Sequence, residues 1–197
     1  MEPRAVPSDR ECARWCSFVS TGTFRAADSS RTECALGSDI MEIVPQPLTK
    51  EAFAPFGDVI DAPNEPGRKY YEDALGNLRP TAQPSLSLSL KAETPDRPLK
   101  AELLERHEFS SQTFVPIDVA RWLIVVAPHA KAGGPDLAGV RAFIATGQQG
   151  VTYKPNTWHH GLTVLDKPGR FAVFMWRDGG KGDEEFVPVA PFTIRIP

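Results

Sequence analysis

Cysteine, histidine and long apolar runs are all scarce in this sequence. Its three cysteines, Cys12, Cys16 and Cys34, lie within the first forty residues, so the rest of the chain offers no disulfide and no thiol nucleophile, and the odd count disfavours a structural zinc site. No apolar run approaches the roughly 18 residues that a membrane helix needs. Lysine and arginine form no block and the net charge is −3, which is unsuited to phosphate backbones. We therefore predict a cytoplasmic protein that binds neither nucleic acid nor membrane.

The first forty residues differ in composition from the remainder. They contain five arginines, six acidic residues and no lysine, and they show no sustained hydrophobic period. A secretory signal would need a contiguous apolar segment after a basic start, and this region has none. We expect residues 1–40 to be a disordered extension, with Met41 as a candidate native start. Residues 41–197 then form a single domain, in keeping with the usual domain size of roughly 100–200 residues.

The chain contains 19 prolines and 15 glycines, which favours many short strands joined by turns over long helices. Thr49 can cap a short helix over residues 50–56. The run SLSLSLKA, residues 85–92, alternates leucine with serine, which is the pattern of a half-buried strand. Further strands are predicted at residues 58–61, 100–108, 112–117, 122–127, 140–145, 150–153, 158–165, 171–176 and 191–196. Turns about every 8–12 residues are typical of an antiparallel sandwich or barrel, although the first half of residues 135–145 also fits a short helix.

Two polar residues stand close together in the run LERHEFSSQTFVPI, residues 103–116. On a strand, residues i and i+2 share a face, so Glu105 and His107 project together. After a turn, Gln112 begins a neighbouring strand that can fold back over the same pocket. The plainer alternative is that Glu105 faces solvent and His107 makes a single hydrogen bond, and this run alone leaves both interpretations open.

A second run, GVTYKPNTWHHGL at residues 150–162, holds two of the four histidines. Strand alternation places Trp158 and His160 on one face and His159 on the other, so we expect only one of the two histidines to point inward. Trp158 either closes the mouth of a barrel or contacts a substrate.

Together the two runs resemble the paired motifs of the cupin barrel. Glu105, His107 and Gln112 take the positions of the first motif's two histidines and its acid, so two of the three usual ligands are replaced. His159 or His160 takes the position of the second motif's final histidine. The turn before them is one residue short, and we favour His159 for that reason. The resemblance implies a mainly β fold, a cupin-type, jelly-roll-like antiparallel β-barrel with a few short helices.

Longer strings give a narrower resemblance. The segments LTKEAFAPFGDVI, LLERHEFSSQTFVPI, PDLAGVRAFI, GQQGVTYKPNTWHHGL and RFAVFMWRDGG resemble the ureidoglycolate lyase family across residues 41–187. This resemblance implies a homodimeric, cytoplasmic, metal-assisted cupin that cleaves (S)-ureidoglycolate to glyoxylate and urea in purine and allantoin breakdown. Residues 61–84 depart most from the family pattern.

The chemistry of that substrate suggests roles for the candidate residues. Ureidoglycolate carries a hydroxyl, a carboxylate and a ureido nitrogen on one carbon, so cleavage needs a base for the hydroxyl proton and an acid or cation for the departing urea. We predict that Glu105 is the general base and that His107 and His159 share in catalysis. The predicted ligands of a divalent metal ion, with nickel first and manganese, zinc or iron as alternatives, are His107, Gln112, His159 and His160. The predicted substrate-binding residues are Gln112, Arg79, Lys154 and Trp158, with Arg141 as a further candidate for the carboxylate.

Two other functions fit the same residues. One is a cupin isomerase or dioxygenase that acts on a small hydroxy acid. The other is a non-catalytic cupin that binds a sugar or small acid. Glu105 discriminates between them, because a binding module has little need of an ionised carboxylate beside His107.

Overall fold

The computed structural model describes residues 40–95 and 97–197. This part of the chain is mainly β, with thirteen strands, one four-residue helix and one 3₁₀ turn. The fold class predicted from the sequence is confirmed. The extension predicted for residues 1–40 lies, apart from Ile40, outside the described residues.

The strands follow one another at short intervals. They are β1 (Glu42–Ile43), β2 (Gln46–Pro47), β3 (Gly57–Asp61), β4 (Gln83–Lys91), β5 (Leu99–His107), β6 (Gln112–Asp118), β7 (Arg121–Ala127), β8 (Arg141–Thr146), β9 (Gln149–Tyr153), β10 (Trp158–His159), β11 (Thr163–Leu165), β12 (Gly169–Arg177) and β13 (Glu184–Ile194).

The helical segments are short because the chain supplies local caps rather than long amphipathic runs. Helix α1 spans Lys50–Phe53, and the Thr49 hydroxyl accepts a hydrogen bond from the Ala52 amide at 3.2 Å. Phe53 is fully buried and fixes the helix to the core. The ambiguous segment before β8 contains a 3₁₀ turn at Leu137–Gly139, so its first half is helical and its second half is strand.

The strands form two sheets. One is eight-stranded with the order β1-β13-β5-β10-β7-β8-β2 and with β11 on β7, and the other is five-stranded with the order β3-β9-β6-β12-β4. Pairing is antiparallel except at two short parallel contacts, β1 with β13 and β2 with β8. Strand β10 lies between β5 and β7, which places the two histidine-bearing runs side by side.

Strand β7 shows how the large sheet is buried on both of its faces. Trp122, Ile124 and Val126 pack into the cluster that also contains Phe114 and Phe171 of the small sheet. The alternate residues of the strand pack into a second apolar cluster, with members from β5, β8, β10 and β13; these residues are Leu123, Val125 and Ala127. A continuous apolar run such as RWLIVVA is expected of a strand that is covered on both sides.

Strand β4 exists as predicted, but its leucines face solvent. Leu86, Leu88 and Leu90 are 72%, 77% and 67% exposed, whereas Ser85 and Ser89 on the other face are half-buried. The alternation identified the strand, yet the apolar side is the outer side. The reason is topological: β4 is the edge of the five-stranded sheet, and its serines lie on the same face as the buried Phe171 and Val173 of β12.

Two predicted strands have different bounds in the structure. Residues 158–165 form two short strands, β10 and β11, separated by His160, Gly161 and Leu162, and both pair with β7. Strand β13 starts at Glu184 rather than at residue 191. Among the described residues, no helix is long and apolar enough to cross a membrane.

Candidate active site

The candidate site is built where β5 and β10 pair. Glu105 and His159 are direct partners in the antiparallel register, so two residues far apart in sequence face each other. The Nε2 atom of His159 lies 3.3 Å from Oε1 of Glu105. The imidazole is almost fully buried, and the carboxylate keeps 18% of its side-chain surface exposed.

The His159 ring is held by its neighbours. The Tyr153 ring stacks against it with a centroid distance of 4.3 Å, and the His107 ring lies nearly parallel to it at 6.2 Å. The Nδ1 atom of His159 lies 3.0 Å from the carbonyl oxygen of Thr157. A carbonyl oxygen only accepts hydrogen bonds, so Nδ1 of His159 is the donor in this contact.

Nε2 of His159 and Oε1 of Glu105 face each other, which makes this pair suited to sharing one proton. The Nε2 atom makes no hydrogen bond of acceptable geometry in the described structure. Neutral imidazole and ionised carboxylate would repel at this contact, while a proton between them makes the contact attractive. The pair can therefore take up a proton and release it again.

A second carboxylate lies beside His107. Oδ2 of Asp183 is 3.5 Å from Nδ1 of His107, and Asp183 is buried. Its carboxylate accepts hydrogen bonds from the Ser110 hydroxyl, from the Phe109 amide and from Nη2 of Arg79. Sequence reasoning missed Asp183, because it lies in the glycine-rich turn between β12 and β13 with no motif to mark it.

Gln112 begins β6 beside Tyr153 and Met175, its register partners on β9 and β12. It is buried, and its Oε1 atom has no hydrogen-bond partner in the described structure. Buried polar atoms are nearly always satisfied in folded proteins. Gln112 Oε1 and His159 Nε2 are two of the four buried side-chain atoms without a partner in the described structure, and each is available to a polar ligand.

The ionisation states follow from burial and from neighbouring charges. Burial raises the pKa of Glu105, but the close contact with the His159 imidazole, followed by the influence of His107 and His160, outweighs it and holds the pKa below its ordinary value of 4.5. Burial is the main reason that the pKa values of His107 and His160 lie below 6.5. At neutral pH the carboxylate is ionised and these two imidazoles are neutral. Burial also raises the pKa of Tyr153, which stays protonated.

Two cavities adjoin these residues. Glu105, His160 and Lys91 line a cavity of about 270 Å³, together with Leu103 and Thr163. A second cavity, of about 390 Å³, is lined by His107, Arg79, Arg177, Lys181 and Asp183 among others.

A larger cavity, of about 1180 Å³, lies elsewhere. Lys50, Asp61 and Gln149 are among the residues that line it. None of the four histidines lines it. We therefore assign the site by its chemistry rather than by its volume.

The predicted cations lie at different distances from the site. Arg79 adjoins the His107 cavity, but its guanidinium is already paired with Asp178 at 2.7 Å and with Asp183 at 3.1 Å. Lys154 is exposed in the turn after β9. Arg141 is exposed at the start of β8, with its guanidinium 6.0 Å from the centre of the Phe56 ring. Lys91, which was not predicted, is the cation that shares a cavity with Glu105.

Trp158, predicted to bind substrate or to close a barrel mouth, lies in the apolar core. Its side chain is fully buried on the face of β10 opposite to His159, within the second apolar cluster, and a substrate cannot reach it. Its indole Nε1 donates to Nδ1 of His129 at 3.1 Å, and the Arg106 guanidinium lies over its ring at 4.8 Å. Trp158 and His160 do not share a face, because the strand ends at His159 and His160 turns toward the cavity that Glu105 lines.

The predicted metal ligands do not form a ready-made metal centre. Within residues 40–95 and 97–197, no group of three or more His, Cys, Asp or Glu side chains is placed to hold an ion. The divalent metal ion stays a prediction.

Comparisons with known proteins identify the family of this chain. The family model described as ureidoglycolate lyase matches residues 40–195. A putative ureidoglycolate lyase of Agrobacterium fabrum is 38% identical over 155 residues, which is 78% of this chain and 95% of that protein. A ureidoglycolate lyase of Pseudomonas aeruginosa is 39% identical over 153 residues (72% and 88%). One of Brucella melitensis is 38% identical over 159 residues (77% and 92%).

Among solved structures, a dTDP sugar isomerase of Desulfovibrio desulfuricans covers 68% of this chain and 82% of its own, at 15% identity and a TM-score of 0.40. That likeness is too distant to bear on the activity. By its sequence over nearly the whole described region, the chain belongs to the ureidoglycolate lyase family.

Proposed function

We propose that this protein is a ureidoglycolate lyase that cleaves (S)-ureidoglycolate to glyoxylate and urea. The observation that carries the proposal is the Glu105–His159 contact at 3.3 Å, an ionised carboxylate against an imidazole nitrogen with no other partner. A group of this kind moves protons, and the reaction is in essence one proton transfer coupled to one bond cleavage.

The first half of the reaction needs a base. Glu105 is ionised at neutral pH and reaches the cavity that it shares with Lys91 and His160. As it takes the substrate hydroxyl proton, the carbon–oxygen bond becomes the carbonyl of glyoxylate and the electrons of the carbon–nitrogen bond leave with urea. His159 shares the proton that Glu105 gains, so the protonated carboxyl is stabilised while the bond breaks.

The second half needs an acid. The departing ureido nitrogen requires one proton, and the Glu105–His159 pair holds the one just removed from the hydroxyl. Returning it to nitrogen gives neutral urea and restores the site, with no water consumed. The cycle therefore balances with a single proton and no external acid.

We assign the substrate carboxylate to Lys91. This lysine lines the same cavity as Glu105 and lies at the exposed end of β4. Arg79 is less available, because two carboxylates already occupy its guanidinium. An ammonium group at the mouth of the cavity would hold the carboxylate at the entrance and leave the hydroxyl and the ureido group toward Glu105.

His107 and Gln112 complete the site. Asp183 lies beside Nδ1 of His107 and orients its ring, which stays neutral. The unpartnered Gln112 Oε1 is an acceptor for the amide hydrogens of the ureido group. We further propose that the protein is a cytoplasmic homodimer, as the family resemblance implies.

Urea release from racemic ureidoglycolate tests the proposal. The wild-type protein should release urea well above the spontaneous rate, and it should consume one enantiomer only. The assay should be run on protein as purified, after chelator treatment, and with nickel or manganese added, while metal content is measured directly. Folded protein that binds the substrate analogue oxalurate but never accelerates urea release would instead be a non-catalytic binding module.

A further inference from the structure

Strand β4 presents an apolar stripe that nothing in the described structure covers. Leu86, Leu88 and Leu90 all point to the outer face of the five-stranded sheet, and each is more than two-thirds exposed. Partly exposed apolar residues of β6 and β12 extend the stripe across that face; they are Val115, Ile117, Phe174 and Trp176. Contiguous apolar surface of this kind marks an interaction site in a soluble protein.

The backbone of β4 is also open on one side. The strand is the last in its sheet and pairs only with β12 within the described residues. Pro84 faces Trp176 in that ladder, and since proline has no N–H, this pair cannot exchange hydrogen bonds. By alternation, Leu86, Leu88 and Leu90 direct their N–H and C=O groups away from β12, toward the free edge.

The sequence of this edge reads the same in both directions. Around Leu88, serines stand at 87 and 89 and leucines at 86 and 90. An antiparallel partner with this same sequence would therefore place leucine opposite leucine and serine opposite serine at every position. This register places no two like charges opposite each other. Lys91 would face Ser85 of the partner subunit, and Glu93 would face Gln83 of the partner subunit.

Natural proteins normally protect an edge strand with proline, with charge or with a covering segment. On β4 such protection stands only at the two ends, as Pro84 and Lys91, and residues 85–90 carry neither charge nor proline. An edge that is open, apolar and self-complementary fits a second copy of itself better than it fits an unrelated strand.

We infer that two copies of this chain associate through β4, antiparallel about a two-fold axis, with Leu88 opposite Leu88 of the partner subunit. The two five-stranded sheets then join into one continuous sheet, and the leucines of both copies cluster across the axis. Each Lys91, at the rim of the Glu105 cavity, comes to lie beside the end of the partner's strand. The inference concerns the interface alone and does not depend on the proposed reaction.

Single cysteines on β4 test this register. In full-length protein with Cys12, Cys16 and Cys34 replaced by serine, Leu88→Cys should form a disulfide-linked dimer under mild oxidation, because hydrogen-bonded partners have Cα atoms about 5.5 Å apart. Leu86→Cys and Leu90→Cys should each fail to cross-link, since each lies roughly 13 Å along the strand from its own copy. The double variant Leu86→Cys/Leu90→Cys should cross-link again.

Equal cross-linking of all three single variants would reflect random collision and would overturn the register. A stable dimer in which no β4 cysteine cross-links would place the interface elsewhere and would overturn the inference. So would a protein that is monomeric at all concentrations tested by sedimentation.

A charge on the axis gives an independent test. Leu88→Lys brings two ammonium groups together, so the dimer dissociation constant should rise by at least about 100-fold in sedimentation. The matched control is Leu78→Lys, at a leucine that is 71% exposed but not on β4, and its dissociation constant should stay near the wild-type value. An equal effect of both substitutions, or none from Leu88→Lys, contradicts the inference.

Discussion

The two faces of the β5–β10 strand pair carry similar residues in opposite situations. On the inner face, Glu105, His107 and His159 surround polar atoms that lack partners. On the outer face, Arg106 and His129 pack against Trp158, and Nδ1 of His129 meets both the indole N–H and the Arg106 guanidinium, at 3.1 and 3.3 Å. Each face contains an imidazole in contact with an aromatic ring, yet only the inner one has a buried nitrogen without a hydrogen-bond partner in the described structure.

The outer-face residues therefore stabilise the fold, and the inner-face residues are the ones proposed to act on the substrate. Arg106 also pairs with Glu185. Its contacts with Asn156 and Trp158 anchor the turn that precedes β10. The outer face thus fixes the backbone of Trp158 and His159, and the inner face uses the position that results. Polar groups that have hydrogen-bond partners stabilise this region of the fold, whereas buried polar atoms without partners are available to bind a ligand.

The largest expected effect is on the inner face. Glu105→Gln keeps the shape of the side chain but removes the base, so the rate of urea release should fall by at least about 100-fold. Its melting temperature should fall only slightly, because the carboxylate is partly exposed and its contact with His159 is the one that is lost. Circular dichroism and thermal unfolding provide the check on folding, and near-wild-type turnover would remove Glu105 from the role of base.

Measurements of KM should show which of the two cavities binds the substrate carboxylate. Lys91→Met removes the proposed carboxylate anchor, and we expect KM to rise by about tenfold with a smaller change in kcat. Lys181→Met, in the cavity that His107 lines, is the matched control and should leave KM unchanged. The opposite pattern would move the substrate carboxylate to the His107 side of the site.

An outer-face change should behave in the opposite way. Trp158→Phe deletes the indole N–H that His129 accepts and leaves a small void in the apolar cluster, so the free energy of unfolding should fall by about 1–3 kcal/mol. Turnover per folded molecule should change by less than about threefold, because no outer-face group touches substrate. Denaturant titration and urea release on the same sample measure both quantities. Lost turnover with unchanged stability would show that Trp158 acts in the reaction.

The smallest expected effect is that of pH on stability. His107 and His160 have pKa values below 6.5 in the folded state, mainly because they are buried. Below pH 6.5 these two imidazoles are therefore more protonated in the unfolded chain than in the folded chain, and the free energy of unfolding falls as pH decreases. Glu105 contributes stability above pH 4.5 that is lost as pH falls through its lower folded pKa. Denaturant unfolding at pH 7.5 and 5.5 measures the change.

His107→Asn provides the control for that measurement. The variant lacks one of the two buried imidazoles, so its stability should depend less on pH between 7.5 and 5.5. A pH dependence as steep as that of the wild type would show that His107 is not the titrating group.

The sequence predicted most of the fold because alternation and turns are local signals. The helix after Thr49 and the strands around Glu105, Gln112 and His159 appear where expected, and the resemblance across residues 41–187 identified the family. The site beyond these residues depends on contacts between distant segments. Asp183, just before β13, lies beside His107 of the neighbouring strand β5, and no sequence motif around Asp183 predicts that contact.

Side-chain direction was the least predictable feature. Alternation divides residues between two faces but does not say which face is covered, so it did not predict that the β4 leucines face solvent or that Trp158 is fully buried. Arg79 was a reasonable candidate for the carboxylate, but its pairing with Asp178 and Asp183 becomes visible only in three dimensions. Sequence spacing cannot report such competition between partners.

The most direct test of the account is urea release per folded molecule, measured side by side for Glu105→Gln and Trp158→Phe. The account predicts a loss of at least about 100-fold for Glu105→Gln at nearly unchanged stability, and near-normal turnover for Trp158→Phe at reduced stability. Near-normal urea release by Glu105→Gln, with Trp158→Phe inactive though folded, would contradict the assignment of chemistry to the inner face of β5 and β10.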